Sequence, residues 1–247
     1  MNRQPPAPPR TDLMPKIVIA LALPEAAPAL RLVERLGEAA EWYKVGAQLF
    51  TAAGPDVVRR LKDRGKKVFL DLKFHDIPST VARAVQAARA VGVDMLTVHA
   101  AGGSAMLRAA RDAAGPDGPL LVGVTVLTSM AAPDLEEVWG RRPDSVQDEV
   151  SRLAALAAAA GLDGVVASAG EAEAIKRQHG PGFRVVTPGI RPPGDDAADQ
   201  VRTATPAAAA RAGADYLVLG RSIVAAPDPV GVLHRVAADI AAAEARA

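Results

Sequence analysis

The sequence has no cysteine, few aromatic residues and no long apolar run, and each absence narrows its possible functions. Without cysteine the chain cannot form a disulfide, a thiolate zinc site or a cysteine nucleophile. Because no disulfide has to form, no oxidising compartment is needed, and we expect a cytoplasmic location. No apolar run approaches the roughly 18–20 residues that a membrane-spanning helix needs. We therefore expect no membrane partner.

The chain also lacks a strong charge of either sign. Its 29 Lys and Arg residues nearly balance its 28 Asp and Glu residues, which gives a net charge of +1. Such a balance argues against a general binder of nucleic acid or of membrane surfaces, but it allows a local basic site for a small anion. The scattered acidic residues show no spacing typical of metal ligands, so we predict no metal site.

The first 15 residues differ in composition from the rest. MNRQPPAPPRTDLMP is rich in proline and has no apolar core of the signal-peptide kind. We predict that residues 1–15 form a flexible tail and that residues 16–247 form a single domain.

Short β-branched runs alternate with longer runs rich in alanine, arginine and glutamate along the whole chain. Eight runs are predicted strands, at residues 16–21, 42–46, 67–73, 95–100, 120–127, 164–167, 184–187 and 216–219. Between them, apolar residues recur at helical spacing, as Leu30, Val33 and Leu36 do. Strand–helix alternation with short links requires parallel strands and right-handed crossovers. Eight such units close most simply into a (β/α)8 TIM barrel of the α/β class, with a doubly wound open sheet as the competing arrangement.

The third predicted strand carries charge inside an otherwise apolar run. Because side chains alternate along a strand, Asp71 and Lys73 share one face with Phe69, and the opposite face is apolar. Asp76 follows in the loop. Charges at a barrel mouth are costly unless they are paired, so a structural ion pair is one interpretation. The other is catalytic: flanking carboxylates keep Lys73 protonated, and its ammonium delivers a proton to a developing carbanion.

A second candidate site follows the last two strands. Gly220 and Arg221 come directly after the eighth strand, at the start of a helix, where backbone N–H groups and a guanidinium suit a phosphate. The connection at 188–203 adds Arg191 and Gln200. Barrel enzymes frequently bind phosphate after strands seven and eight.

Several segments together resemble the orotidine 5′-phosphate decarboxylase family, in its short bacterial form. The string LDLKFHDIPST, which ends at Thr80, is similar to that family's active-site signature. Four further segments agree in the same order, namely WYKVG at 42–46, TVHA at 97–100, TVLTSM at 125–130, and TPGIRP at 187–192 together with LGRSI at 219–223. The resemblance runs from about Lys16 to the end of the chain.

The resemblance implies a reaction, a set of roles and a partner. The reaction is decarboxylation of orotidine 5′-phosphate to uridine 5′-phosphate, without metal, flavin or other cofactor. The resemblance implies Lys73, Asp71 and Asp76 as the catalytic group. It also implies a homodimer with shared active sites, in which Asp76 and Thr80 serve the partner subunit. The implied substrate contacts are Lys44 at the ribose, Thr128 and Ser129 at the base, and Arg191, Gln200, Gly220 and Arg221 at the phosphate.

One position departs from the family pattern. The segment IALAL at 19–23 has Ala22 where the family usually has an aspartate that contacts the sugar hydroxyls. Two alternatives stay open, and only the first of them rests on Ala22. One is a nucleotide-binding barrel with impaired or no catalysis, and the other is a Mg²⁺-dependent sugar-phosphate decarboxylase or aldolase of the same superfamily, which shares the bare Asp-x-Lys-x-x-Asp frame.

Overall fold

A computed structural model describes residues 14–141, 143–193 and 202–245, and within them eight parallel strands close into a barrel in chain order. The first strand pairs with the eighth as well as with the second, which closes the sheet and excludes the open arrangement. The predicted (β/α)8 barrel is confirmed. The strands are β1 (Lys16–Ala20), β2 (Trp42–Gly46), β3 (Lys67–Phe74), β4 (Met95–His99), β5 (Leu120–Val124), β6 (Gly164–Val166), β7 (Arg184–Thr187) and β8 (Tyr216–Leu219).

Helices surround the barrel and bury one apolar face each. In the first of them, Leu30, Val33 and Leu36 are buried, as their spacing predicts. The helices of the described residues are α1 (Ala26–Leu36), α2 (Ala47–Ala53), α3 (Asp56–Lys62), α4 (Pro78–Ala90), α5 (Gly103–Ala114), α6 (Ala132–Trp139), α7 (Val146–Ala159), α8 (Ala169–His179), α9 (Pro206–Arg211), α10 (Arg221–Val224) and α11 (Pro229–Glu244).

The connection between β2 and β3 contains two helices. Helix α2 ends at Gly54, whose φ of 63° lies in the left-handed region that glycine adopts at little cost. Pro55 follows and cannot donate to the preceding turn, so a new helix begins after it. The second helix, α3, buries Val57, Val58 and Leu61 against the barrel.

The fifth strand is shorter than predicted, because it ends at Val124 and not at residue 127. Beyond that point the Thr125 hydroxyl donates to the carbonyl oxygen of Val166 at 2.8 Å. Val166 is the last residue of the short neighbouring strand β6. With no further strand residue to pair with, the chain leaves the sheet. Residues 125–127 therefore belong to the loop at the barrel mouth.

The core has two parts, separated by the wall of the barrel. The larger lies between the strands and the helices and contains residues such as Leu70, Leu96 and Leu121. The smaller fills the inside of the barrel, and its buried members are Val18, Ala20, Trp42, Phe69, Met95, Val122, Val186, Tyr216 and Val218. Because this inner cluster closes the barrel below its mouth, a ligand can enter only at the carboxyl ends of the strands.

Three aspartates tie neighbouring strands together at the opposite end of the barrel. Each aspartate lies just before β4, β6 or β8. Its carboxylate accepts a backbone N–H from the strand that precedes it in the chain. The same carboxylate pairs with a lysine or arginine of the helix that leads into that preceding strand. The groups are Asp94 with the N–H of Val68 and Lys62, Asp163 with the N–H of Leu121 and Arg111, and Asp215 with the N–H of Val185 and Lys176. The repeat therefore spans two βα units, which the sequence pattern alone does not reveal.

We expect Asp215→Ala to lower the free energy of unfolding by about 3–5 kcal/mol, because it leaves the buried ammonium of Lys176 without its carboxylate partner. The two groups are 2.6 Å apart and the Lys176 side chain is 13% exposed. Urea denaturation measures the loss. The double variant Lys176→Met with Asp215→Asn removes both charges and should recover most of the stability. A loss under about 1 kcal/mol in Asp215→Ala would contradict the assignment.

Two further predictions concern the start of the chain and its location in the cell. Residues 1–13 of the predicted tail lie outside the described residues, so the domain boundary at residue 15 stays a prediction. None of the described helices combines the length and the apolar character needed to cross a membrane. The cytoplasmic location stays a prediction.

Candidate active site

A cavity of about 600 Å³ opens at the carboxyl ends of the strands. Most residues that the sequence predicted for the site line it, namely Lys44, Asp71, Lys73, Thr128, Ser129, Arg191, Gly220 and Arg221. They come from β2, from β3 and from the loops that follow β5, β7 and β8. Closing the barrel therefore brings together residues as far apart in sequence as Lys44 and Arg221.

Asp71 lies between two lysines. One of its carboxylate oxygens is 2.8 Å from the Lys73 ammonium, and the other is 2.9 Å from the Lys44 ammonium. Burial by itself would raise the pKa of Asp71, but the two lysines together hold that pKa below its usual range. Asp71 is therefore a carboxylate at neutral pH, and it stabilises both neighbouring ammonium groups.

Thr97 on β4 joins this cluster from below. Its hydroxyl oxygen accepts the backbone N–H of Lys73 at 2.8 Å, and its hydroxyl lies 3.1 Å from the same Asp71 oxygen that Lys73 contacts. The residue is completely buried. Sequence reasoning gave Thr97 no role, although a threonine within the apolar run Met95–His99 was a usable signal for a buried hydrogen bond.

The backbone of Lys73 has an unusual conformation. Its φ is 51°, and Lys73 is the only residue other than glycine with a positive φ in the described part of the chain. The pairing of β3 with β4 shifts between Leu70 and Phe74, so a bulge lies at this point. A left-handed conformation costs a side-chain-bearing residue roughly 1–2 kcal/mol. Strain of this kind is typical of functional sites, and here the hydrogen bond from the Lys73 N–H to Thr97 and the ion pair with Asp71 help to offset it.

Three predicted residues lie apart from the cavity or outside the described chain. Asp76 is exposed, and its carboxylate accepts the backbone N–H of Ile77 at 2.6 Å. Thr80 is half-buried in the first turn of α4. Neither is among the residues that line the cavity. Gln200 lies outside the described residues.

The far side of the cavity carries the two arginines. Arg221 begins α10 directly after Gly220, and Arg191 follows β7. The backbone around Arg191 is held by an isolated pairing, in which the N–H of Arg191 donates to Ala204 at 2.9 Å and the N–H of Ala204 donates to Gly189 at 3.2 Å. Guanidinium groups at this end are well suited to bind a phosphate.

Valines form the cavity wall between these two polar ends. They lie at or near the carboxyl ends of the successive strands β5 to β8 and comprise Val124, Val126, Val166, Val186 and Val218. An apolar wall suits the faces of a flat ring, and it strengthens the electrostatic interactions beside it by excluding water.

His99 lies beside this cavity but does not line it. Its ring stacks on that of His75, with centroids 5.2 Å apart. Burial, and then the charges of His75 and Lys73, lower the pKa of His99, so we expect a neutral ring at pH 7. Its Nδ1 has no hydrogen-bond partner among the residues that the structure describes.

No three histidine, aspartate or glutamate side chains in residues 14–141, 143–193 and 202–245 are arranged to hold a metal ion. The polar groups of the cavity are instead one carboxylate, two ammonium groups and two guanidinium groups, besides the hydroxyls of Thr128 and Ser129. Taken together, the closed barrel and its cavity define an α/β-barrel enzyme for a small anionic substrate.

Comparison with known proteins gives the family. The family model described as Orotidine 5'-phosphate decarboxylase / HUMPS family matches residues 15–236, and this chain belongs to that family. The family predicted from the sequence motifs, and with it the class of enzyme, is confirmed.

Individual relatives agree over nearly the full length. The orotidine 5'-phosphate decarboxylase of Moorella thermoacetica is 52% identical over 233 residues, which cover 91% of this chain and 92% of that protein. The corresponding protein of Halorhodospira halophila is 53% identical over 231 residues, or 93% and 97% of the two chains. The crystal structure of orotidine 5'-phosphate decarboxylase from Lactobacillus acidophilus matches with a TM-score of 0.81 and 36% identity, over 92% of this chain and 99% of that one.

Proposed function

We propose that this chain decarboxylates orotidine 5′-phosphate to uridine 5′-phosphate and CO₂, the last step of UMP biosynthesis. The observation that carries the proposal is the Lys44–Asp71–Lys73 cluster, at the mouth of a barrel whose relatives of about 50% identity are orotidine 5'-phosphate decarboxylases. The reaction leaves an electron pair at C6 of the pyrimidine, in the plane of the ring, where no π-system absorbs the charge. The protein must therefore supply electrostatic stabilisation and a proton.

Lys73 is the proton donor in this proposal. Its ammonium pairs with Asp71 at 2.8 Å, and the bulged backbone holds its side chain at the cavity. As the C6–CO₂ bond breaks, the electron pair stays on C6 and takes up a proton from the Lys73 ammonium. The Asp71 carboxylate lies where it repels the substrate carboxylate, and that repulsion is relieved when CO₂ leaves.

The remaining cavity residues bind the substrate. Arg191, Gly220 and Arg221, with Gln200 as a further prediction, contact the phosphate at the far end. Thr128 and Ser129 contact the base. Lys44 reaches the ribose region and also pairs with Asp71, at 2.9 Å, a contact that the sequence did not predict. Binding energy from the distant phosphate is then available to organise the reacting centre.

We also propose a homodimer with shared active sites. The support is the position of Asp76 and Thr80, which do not line their own chain's cavity, beside Ile77, whose side chain is 64% exposed. An apolar side chain next to an exposed carboxylate fits a surface that a second copy covers. Sedimentation of the active protein should give a dimer. Activity carried by a monomer alone would reject this part of the proposal.

A spectrophotometric decarboxylation assay tests the main proposal directly. Purified protein should turn over orotidine 5′-phosphate at the same rate with and without EDTA, since no metal or other cofactor is expected. Binding of uridine 5′-phosphate without turnover would support the non-catalytic alternative. Turnover that EDTA abolishes, on a sugar phosphate in place of the nucleotide, would support the Mg²⁺-dependent alternative.

We expect Ala22→Asp to raise kcat/KM by about 10- to 100-fold, the equivalent of one hydrogen bond to a charged group. Ala22 is exposed at the cavity, so an aspartate has room there to accept from the sugar hydroxyls. Steady-state kinetics on orotidine 5′-phosphate measure the gain. Ala22→Asn, which lacks the charge, should give a smaller gain. If kcat/KM does not rise, another residue already binds the sugar.

A further inference from the structure

Arg202 joins two loops of the barrel mouth through one guanidinium group. Its Nη1 donates to Glu171 Oε1 at 2.6 Å, and its Nη2 donates to the carbonyl oxygens of Val126 and Leu127, both at 3.1 Å. The Arg202 side chain is 18% exposed and that of Glu171 is 3% exposed. Arg202 itself is not among the residues that line the cavity.

Glu171 is a fixed anchor for this guanidinium. Its other oxygen accepts the backbone N–H of Ser168 at 2.7 Å, and it also accepts the Ser168 hydroxyl. These bonds form a capping box at the start of α8, directly after β6. The carboxylate cannot turn away from Arg202 without breaking the cap, so the barrel frame sets the position of the guanidinium.

The two carbonyl groups that Arg202 binds need such support. Val126 and Leu127 lie beyond the end of β5, where the chain has left the sheet, and Leu127 is 36% exposed. Apolar burial therefore does little to hold Leu127. The next two residues along the chain are Thr128 and Ser129, which line the cavity. Because the carbonyl groups of the two preceding residues are held by hydrogen bonds, the backbone that leads into Thr128 and Ser129 has a fixed position.

We propose that Arg202, held by Glu171, is a positioning residue that places Thr128 and Ser129 against the base of the substrate. The planar fork of arginine bonds an acid through one nitrogen and two carbonyls through the other, an arrangement that lysine cannot reproduce. This inference rests on the proposed function, because it assumes that Thr128 and Ser129 meet a pyrimidine. It adds a residue that acts on the base from outside the cavity.

The test removes the buried pair without leaving a charge behind. The double variant Arg202→Met with Glu171→Gln keeps an oxygen for the Ser168 cap. We expect kcat/KM for orotidine 5′-phosphate to fall by about 10- to 100-fold, the loss of one charged hydrogen-bonding group. The inhibition constant of uridine 5′-phosphate should rise by a similar factor. That of ribose 5-phosphate, which has no base, should stay unchanged.

A matched control lies on the same helix. Arg177 and Glu173 form an exposed pair on α8, so Arg177→Met with Glu173→Gln should leave all three constants unchanged. The milder variant Arg202→Lys retains the charge beside Glu171, and we expect it to fold and to show an intermediate loss. Wild-type constants in Arg202→Lys and in the double variant would overturn the proposal, and so would an equal weakening of ribose 5-phosphate. A wild-type protein without turnover would instead reject the proposed function itself.

Discussion

Lys73→Ala is expected to lower kcat for the decarboxylation of orotidine 5′-phosphate by about 10²–10⁴-fold, the contribution of a positioned general acid. The variant loses both the proton donor and one of the two cations that stabilise Asp71. Asp71 would keep only Lys44, at 2.9 Å, so its carboxylate would be less well compensated. Single-turnover and steady-state assays on the purified variant measure the loss.

The design separates catalysis from folding. Alanine is no more strained than lysine at a φ of 51°, so the bulge in β3 should survive the substitution. Binding of uridine 5′-phosphate by the variant would show that the cavity is intact. Lys67→Ala is a matched control, because Lys67 is on the same strand but pairs with Asp94 at the opposite end of the barrel. A folded Lys73→Ala variant with the wild-type rate would refute the mechanism.

Arg221→Ala is expected to raise KM by about 10- to 100-fold, since a guanidinium bonded to a phosphate contributes roughly 1.5–3 kcal/mol. Arg221 follows Gly220 at the end of β8 and lines the cavity on the side away from Lys73. Steady-state kinetics give KM, and titration with uridine 5′-phosphate gives the binding constant without chemistry.

The specificity of that loss decides the role of Arg221. Uridine lacks the phosphate, so its weaker binding should not change in the variant. Arg211→Ala, an exposed arginine in α9 outside the cavity lining, serves as the control. An unchanged KM in Arg221→Ala would reject the phosphate assignment. Equal weakening of uridine and uridine 5′-phosphate would indicate a distorted cavity in place of a lost phosphate contact.

Strand positions were predictable because they depend on local pattern. Runs of β-branched residues located the strands, and alternation along β3 predicted Asp71 and Lys73 on one side. Both line the cavity, although a bulge interrupts the alternation at Lys73. The end of β5 was predicted three residues too late, because Val126 is as apolar as the strand before it. What ends the strand is the length of its neighbour β6, which no local pattern of β5 contains.

Contacts between side chains of different strands depend on strand register and on closure of the barrel, so the tertiary structure determines them. Lys44 on β2 and Thr97 on β4 meet Asp71 because the strands on either side of β3 place them there. The bond from Arg202 to Val126 spans 76 positions in sequence. Separations of this kind leave no periodic signal.

By itself the sequence determined the barrel, the family and the residues at both ends of the cavity, since these follow from patterning within single strands and from recognisable segments. Only the tertiary structure decided that Asp71 pairs with two lysines, that Lys73 takes a left-handed conformation at a bulge, and that Arg202 supports the loop before Thr128. The physical reason is that hydrogen bonds and ion pairs act over about 3 Å. Which groups come that close is settled only when the eight strands close into one barrel.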